Sequence, residues 1–288
     1  MAGFKNIGAM IDAELNGQCR YSTWRKSPTQ TTGSGIWFDL CLSPGNPVPN
    51  YYAAAPGVAI RLAQSTDGGL YHSGPVSGLG MTKHLRKLTA MTLTGTAVPL
   101  PMMLLDYLLF YPFLDESVTD PQMLDNAVGL SRYASGAGVQ MMAVVVAGQT
   151  GGQSFQVSYT NSAGVSGRTS KTVTMNTQAV NGTIITTNPA TAGCAGPFIP
   201  LQVGDSGVQS IQSVTFNGPD VGLITLVLVK PIASMTIRGI DAPVEVDFFR
   251  DFGACPQIVD DAYLNFICLP SGTLAAAPIH GDILTVWN

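Results

Sequence analysis

The sequence predicts a mainly β protein: an antiparallel, jelly-roll-like β-sandwich with a short N-terminal helix and an extended arm. Three observations lead there. Short apolar or alternating runs recur beyond residue 57, each bounded by Gly, Pro or Asn clusters. Helical spacing of apolar residues is confined to the first 17 positions. No internal repeat of the length that builds solenoids or propellers is present. The domain reading is an N-terminal helix and irregular arm over 1–57, then a β-sandwich domain over 58–288. An inserted or second β lobe is expected around 148–200, between possible crossings at Gly148–Gly152 and Asn188–Pro200.

Within the first segment, Phe4, Ile7, Ile11 and Leu15 recur at three and four residues, which makes one apolar stripe on a helix, and Gly17 is a stop. SPTQTTGSG and LSPGNPVPNYYAAAPG then read as irregular chain. Such a helix and arm can reach a neighbouring subunit or pack on their own domain. Further on, Leu88–Thr94 alternates as a half-buried strand does, and VQMMAVVVA at 139–147 is an apolar run of strand length. Phe155, Val157 and Tyr159 face opposite Gln156, Ser158 and Thr160, and Asn161–Gly164 supplies a hairpin turn. Strands are also expected at 183–187, 211–216, 221–229, 244–248, 263–269 and 283–287, with the run before Pro231 central in a sheet. The apolar stretch Val98–Leu114 holds three prolines and Asp106, and is too short for a membrane helix, so a buried extended segment is expected.

Charge is scarce. Asp, Glu, Lys and Arg make up 11% of 288 residues, where a soluble domain carries about 25%. A surface of Thr, Ser, Asn, Gln and Gly suits burial against neighbours, because neutral polar groups cost far less to desolvate than ions. A secreted β-protein with a neutral surface is the competing explanation. Residues 1–90 carry a charge of +4, residues 91–130 hold five acids and no base, and residues 131–288 carry −3. None of these blocks has the clustered Lys/Arg of a nucleic-acid binder. The five cysteines are odd in number and without metal-ligand spacing, and MAGFKNIGAM is no signal peptide, so assembly in a bacterial cytoplasm is expected.

Catalytic chemistry finds no signature. There is no GxSxG elbow and no phosphate loop. His72 and His280 lie near glycine and are expected in turns, while His84 belongs to the basic run Lys83–Lys87, expected at a solvated or interface edge. Asp115, Glu116, Asp120 and Asp125 place four carboxylates in eleven residues. Calcium favours oxygen-rich loops, but the spacing is not that of an EF-hand. Thr119-Asp120-Pro121 could equally start a short helix. No enzyme activity, cofactor or metal is therefore expected. The loop-like aromatics Trp24, Trp37, Tyr51, Tyr52 and Tyr71 could stack on sugars or anchor a protein interface.

Several segments in order, GIWFDLCLSPGNPVPNYY, DGGLYHSG, KHLRKLTAMTL, LLDYLLFYPFLDE, GGQSFQVSYTNSAGVSGRTS, GPFIPLQVGDSGVQSIQSVTFNGPDVGLITLVLVKP and AAPIHGDILTVWN, resemble a family of tailed-bacteriophage virion structural proteins. The resemblance runs from Gly35 onward and carries no catalytic motif. It implies a particle component: a capsid cement or decoration subunit, or a tail, connector or head-fibre part. The expected partners are the major capsid protein and copies of the chain itself, a trimer among the options, without direct nucleic-acid or membrane contact. Phe4, Ile7 and Ile11 on the helix and Trp24, Trp37, Tyr51 and Tyr52 on the arm are the expected contact residues. A glycan-binding receptor module is the alternative from another class.

Overall fold

A computed structural model describes residues 4–176, 179–185 and 196–288. The chain is mainly β, with three antiparallel sheets and three short α-helices among the described residues. The central sheet runs in the order Phe38–Asp39, Tyr263–Cys268, Leu100–Asp115, Leu223–Ile237, Gln140–Ala147. Its two middle strands, 16 and 15 residues long, pair along almost their whole length. Val98–Leu114 thus supplies a buried strand. Leu223–Ile237 continues through Pro231, beyond the expected end at 229, because the register shifts between Pro231 and Ala233. A bulge is where a sheet tolerates a residue without an N–H.

The long strands carry two sandwiches. At one end Leu100, Met102, Leu104, Met235 and Ile237 share a core with Trp24, Leu85, Leu88 and Ile283. Those partners come from a terminal sheet ordered Val244–Asp247, Lys83–Thr92, Ile279–Trp287, Cys19–Lys26, Gly45–Asn46. At the other end Tyr111, Leu114, Leu226 and Leu228 share a core with Phe155, Tyr159, Ile211 and Val214 of a distal sheet. The distal sheet combines Ser154–Asn161 with Val208–Phe216 and the short Gln122–Met123, so it draws on chain from outside 148–200. The 161–164 turn is present, and Arg168–Thr169 pairs back on Tyr159 and Ser158. The remaining expected strands are Val208–Phe216, Val244–Asp247, Tyr263–Cys268 and Ile279–Trp287. Of 183–187, Thr183 and Ile184 bridge to Phe38 and Val144, while 186–187 and most of the 188–200 crossing lie outside the described residues.

Alternation along the long strands serves a third core. Leu105, Tyr107, Val227 and Val229 lie between residues that feed the sandwiches, and they pack against Trp37, Cys41, Tyr52 and Leu62. The part of the expected arm around Trp37–Leu62 therefore covers one face of its own central sheet. Nor is the chain irregular from residue 18, since Cys19–Lys26 is an inner strand paired with Ile279–Trp287 along its full length. Its inward positions are Ser22, Trp24 and Lys26. Only one of those is apolar, which hides the alternation from a hydrophobicity pattern. No helix among the described residues is long and apolar enough to cross a membrane.

Candidate functional site

The N-terminal helix spans Ile7–Leu15, with the Asn6 side chain accepting a hydrogen bond from the Ala9 N–H at 2.8 Å. That cap satisfies one of the free donors of the first turn. Gly17, at a φ of 74°, turns the chain out of the helix, and Gln18 N–H closes onto Ala13 O. The buried residues are Met10 and Ala13, which pack with Val286. Arg86 Nε, 3.3 Å from Glu14 Oε1, ties the helix to the terminal sheet. At ~100° per residue the Ile7, Ile11, Leu15 stripe lies about 130° round from this buried face, and all three side chains are exposed. Phe4 turns inward instead and packs with the helix-docking residues, its ring 5.7 Å from that of His84.

The aromatic residues nominated on the arm separate. Trp24 is buried, with its ring centroid 4.2 Å from that of Phe266. Trp37 is buried against the central sheet. Tyr52 is fully buried and donates to Asp39 Oδ2 at 2.5 Å, beside Tyr107, which donates to Oδ1 at 2.7 Å. These three cannot anchor a partner, because this chain's own packing already uses them. Tyr51 is exposed at the mouth of a 390 Å³ cleft between the covering segment and the central sheet. Thr29, Gln30, Phe38, Phe113 and Asn181 also line that cleft, so its polar groups are neutral.

Two histidines lie elsewhere than in the expected turns. His280 is a strand residue opposite Arg25, in a shallow groove on the terminal sheet. His72 is fully buried. Its Nε2 lies 2.9 Å from Ala262 O, a donor contact, which leaves Nδ1 to accept from Lys83 Nζ at 3.2 Å. The same ammonium donates to Ser73 O and Gly74 O and sits 3.4 Å from Asp260. Lys83 is thus a buried clamp at the start of Lys83–Thr92, where the sequence suggested a solvated or interface edge. Burial, reinforced by the neighbouring ammonium, holds His72 down at about 4. His84 contacts Thr82 Oγ1 and the Cys255 carbonyl. Cys41 is buried, and burial pushes its thiol up to about 12, which removes thiolate reactivity near neutral pH.

A second buried ion pair carries no sequence signature. Arg132 grips Asp106 with Nε and Nη2 at 3.0 and 2.8 Å, and Nη2 also donates to the Leu62 and Tyr107 carbonyls. Asp106 pairs with Leu264 near the end of the stretch, Met102–Tyr107, that meets Tyr263–Cys268, and pairing with Ile60–Arg61 begins just beyond, at Leu109. The pair satisfies backbone groups where one neighbouring strand gives way to the next.

The acidic segment does not converge as a loop. Asp115 Oδ1 accepts from Ser117 N–H, and Asp125 Oδ1 accepts from Ala127 N–H. Gln122–Met123 is strand, and no helix begins at Thr119. Among the described residues no three His, Cys, Asp or Glu side chains gather as a metal set. Glu116 alone turns inward and is fully buried, where burial and the Asp220 charge push it up to about 8.

No family model matches the chain, and no curated protein matches it. Among solved structures, a chain in the structure of infectious bursal disease virus Gx strain aligns at 10% identity, over 93% of this chain and 79% of that one, with a TM-score of 0.18. A chain in the structure of the Gt strain aligns at 11% identity over 93% and 80%, also at 0.18. Similarity at that level supports no conclusion about architecture or role.

Proposed function

We propose that the chain is a structural virion protein of a tailed phage, a capsid cement or decoration subunit that bridges and stabilises major capsid proteins. The observation that carries this reading is the outward stripe of the N-terminal helix, with Ile7 52%, Ile11 49% and Leu15 80% exposed. A helix that docks through Met10 and Ala13 while presenting three large apolar side chains has a second face suited to a partner. The weakly charged surface and the segment resemblance support the same reading. The partners are the major capsid protein and copies of this chain, on a particle assembled in the host bacterial cytoplasm. Repetition over a symmetric shell turns modest contacts into firm retention.

Co-sedimentation with purified shells tests it. The Ile7→Ser/Ile11→Ser/Leu15→Ser variant should fold normally and fail to pellet with shells. Unchanged pelleting would remove the helix from the interface and the reading's main support. Copy number per particle separates the structural alternatives: hundreds for a decoration subunit, about a dozen for a tail or connector component. A glycan-binding module is favoured by one observation, the neutral cleft that Tyr51 and Phe113 line. A glycan array without hits at high protein concentration argues against it.

A further inference from the structure

Three neighbouring strands of the central sheet end together. Glu116 follows Leu100–Asp115, Asp220 precedes Leu223–Ile237, and Gln149 follows Gln140–Ala147. The backbone stitches the first two: Asp220 N–H donates to Glu116 O at 2.9 Å, and Glu116 N–H to Gly222 O at 3.2 Å. Four buried side-chain oxygens from these three residues have no hydrogen-bond partner among the described residues: Glu116 Oε1 and Oε2, Asp220 Oδ2 and Gln149 Oε1. Gln149 is itself 3% exposed, and its Nε2 donates to Asn176 O at 2.7 Å, which fixes the amide so that Oε1 is the free acceptor.

Glycines make the room. A Cβ on Gly222 would lie 3.0 Å from both Glu116 Oε2 and Gln149 Cβ, and 3.1 Å from Ala147 O. A Cβ on Gly151 would overlap the Asp220 carboxylate. Among the described residues, no Lys or Arg forms an ion pair with Glu116 or Asp220. Asp220 Oδ1 accepts from the Val221 N–H at 2.7 Å, which leaves Oδ2 free beside the Glu116 carboxylate and the Gln149 carboxamide oxygen. Buried acceptors gathered without donors form an arrangement that is costly unless a cation completes it.

We propose that Glu116, Asp220 and Gln149 form a calcium site that locks these ends of the three strands together. All the donors are oxygen, which favours a hard cation over zinc, whose sites use nitrogen and sulfur. The donors come from three separate strand ends, and calcium accepts such irregular geometry where magnesium demands a near-ideal octahedron. The Ala147 carbonyl and water can complete the coordination. This site stands apart from the helix stripe and does not depend on the virion reading.

The test is calorimetric titration of the full chain with CaCl2 after EDTA treatment, with thermal unfolding followed in parallel. One calcium per chain and an unfolding temperature several degrees higher in calcium are expected. Glu116→Gln and Asp220→Asn should each weaken binding at least tenfold and abolish that rise, while remaining folded in EDTA because each removes like-charge repulsion. Asp120→Asn/Asp125→Asn, at exposed acids of the same segment, should bind as the parent does. No binding heat up to about 10 mM calcium, equal binding of MgCl2, or an equal loss in the Asp120/Asp125 variant would each overturn the site.

Discussion

Trp24 and Tyr51 belong to the same loop-like stretch of sequence, yet one is buried and the other is at 58% exposure. Trp24→Ala should cost about 3–5 kcal/mol in urea unfolding, while Tyr51→Ala should stay within about 0.5 kcal/mol. Buried charges deserve the same residue-level treatment. Arg132→Met strands Asp106 without its bidentate partner and should cost about 3–5 kcal/mol, with much of the loss recovered in Asp106→Leu/Arg132→Met. His72 supplies a pH dependence. Its folded-state pKa of about 4 lies below its ordinary 6.5, so the unfolded chain takes up the proton first as pH falls. The stability it contributes is fully present above about pH 6.5 and is lost progressively towards pH 4, about 3 kcal/mol in all. Urea midpoints at pH 7 and 4.5 should therefore differ less in His72→Gln than in the parent.

At the scale of elements, the N-terminal helix shows what periodicity can and cannot decide. Its existence and its stop at Gly17 were legible from spacing and composition. Its orientation was not, because Met10 and Ala13 make the docking face while the more apolar stripe looks outward. Met10→Ala should lower stability by about 2 kcal/mol. Each of Ile7→Ser, Ile11→Ser and Leu15→Ser should change it by less than about 0.5 kcal/mol in the same denaturation assay. The Cys19–Lys26 strand was hidden for a related reason: Lys26 points inward, its charge satisfied by the Ser43 and Pro47 carbonyls at 3.1 and 2.8 Å. A lysine in an inward position reads as surface until the carbonyls that receive it are known.

Across the whole molecule, the two long strands form the spine on which two sandwiches and a covering segment are built. The outer surface carries few charges, and on the proposed reading it is covered by neighbours. Retention on shells should then change less than tenfold between about 0.1 and 1 M NaCl, measured by co-sedimentation, because little of the contact is ionic. A steep loss with salt would point to an electrostatic interface instead.

The sequence by itself determined the β class, the principal strands after residue 57 and the N-terminal helix. Each is written in local spacing and turn chemistry within a few residues. Only the tertiary structure decided which aromatic residues are core, that the 37–62 segment covers its own sheet, and that Lys83, Arg132 and Glu116 are buried. Those outcomes depend on partners far along the chain: Phe266 for Trp24, Asp260 for Lys83, Asp220 for Glu116. The acidic segment is the clearest case. Its composition pointed to oxygen ligands, but Asp115 and Asp125 are used in local turns, and the residue that meets Glu116 lies about a hundred positions away. Local patterns specify elements because neighbours in sequence share a helix turn or a strand, whereas a site assembled from three strand ends exists only once the sheet has formed.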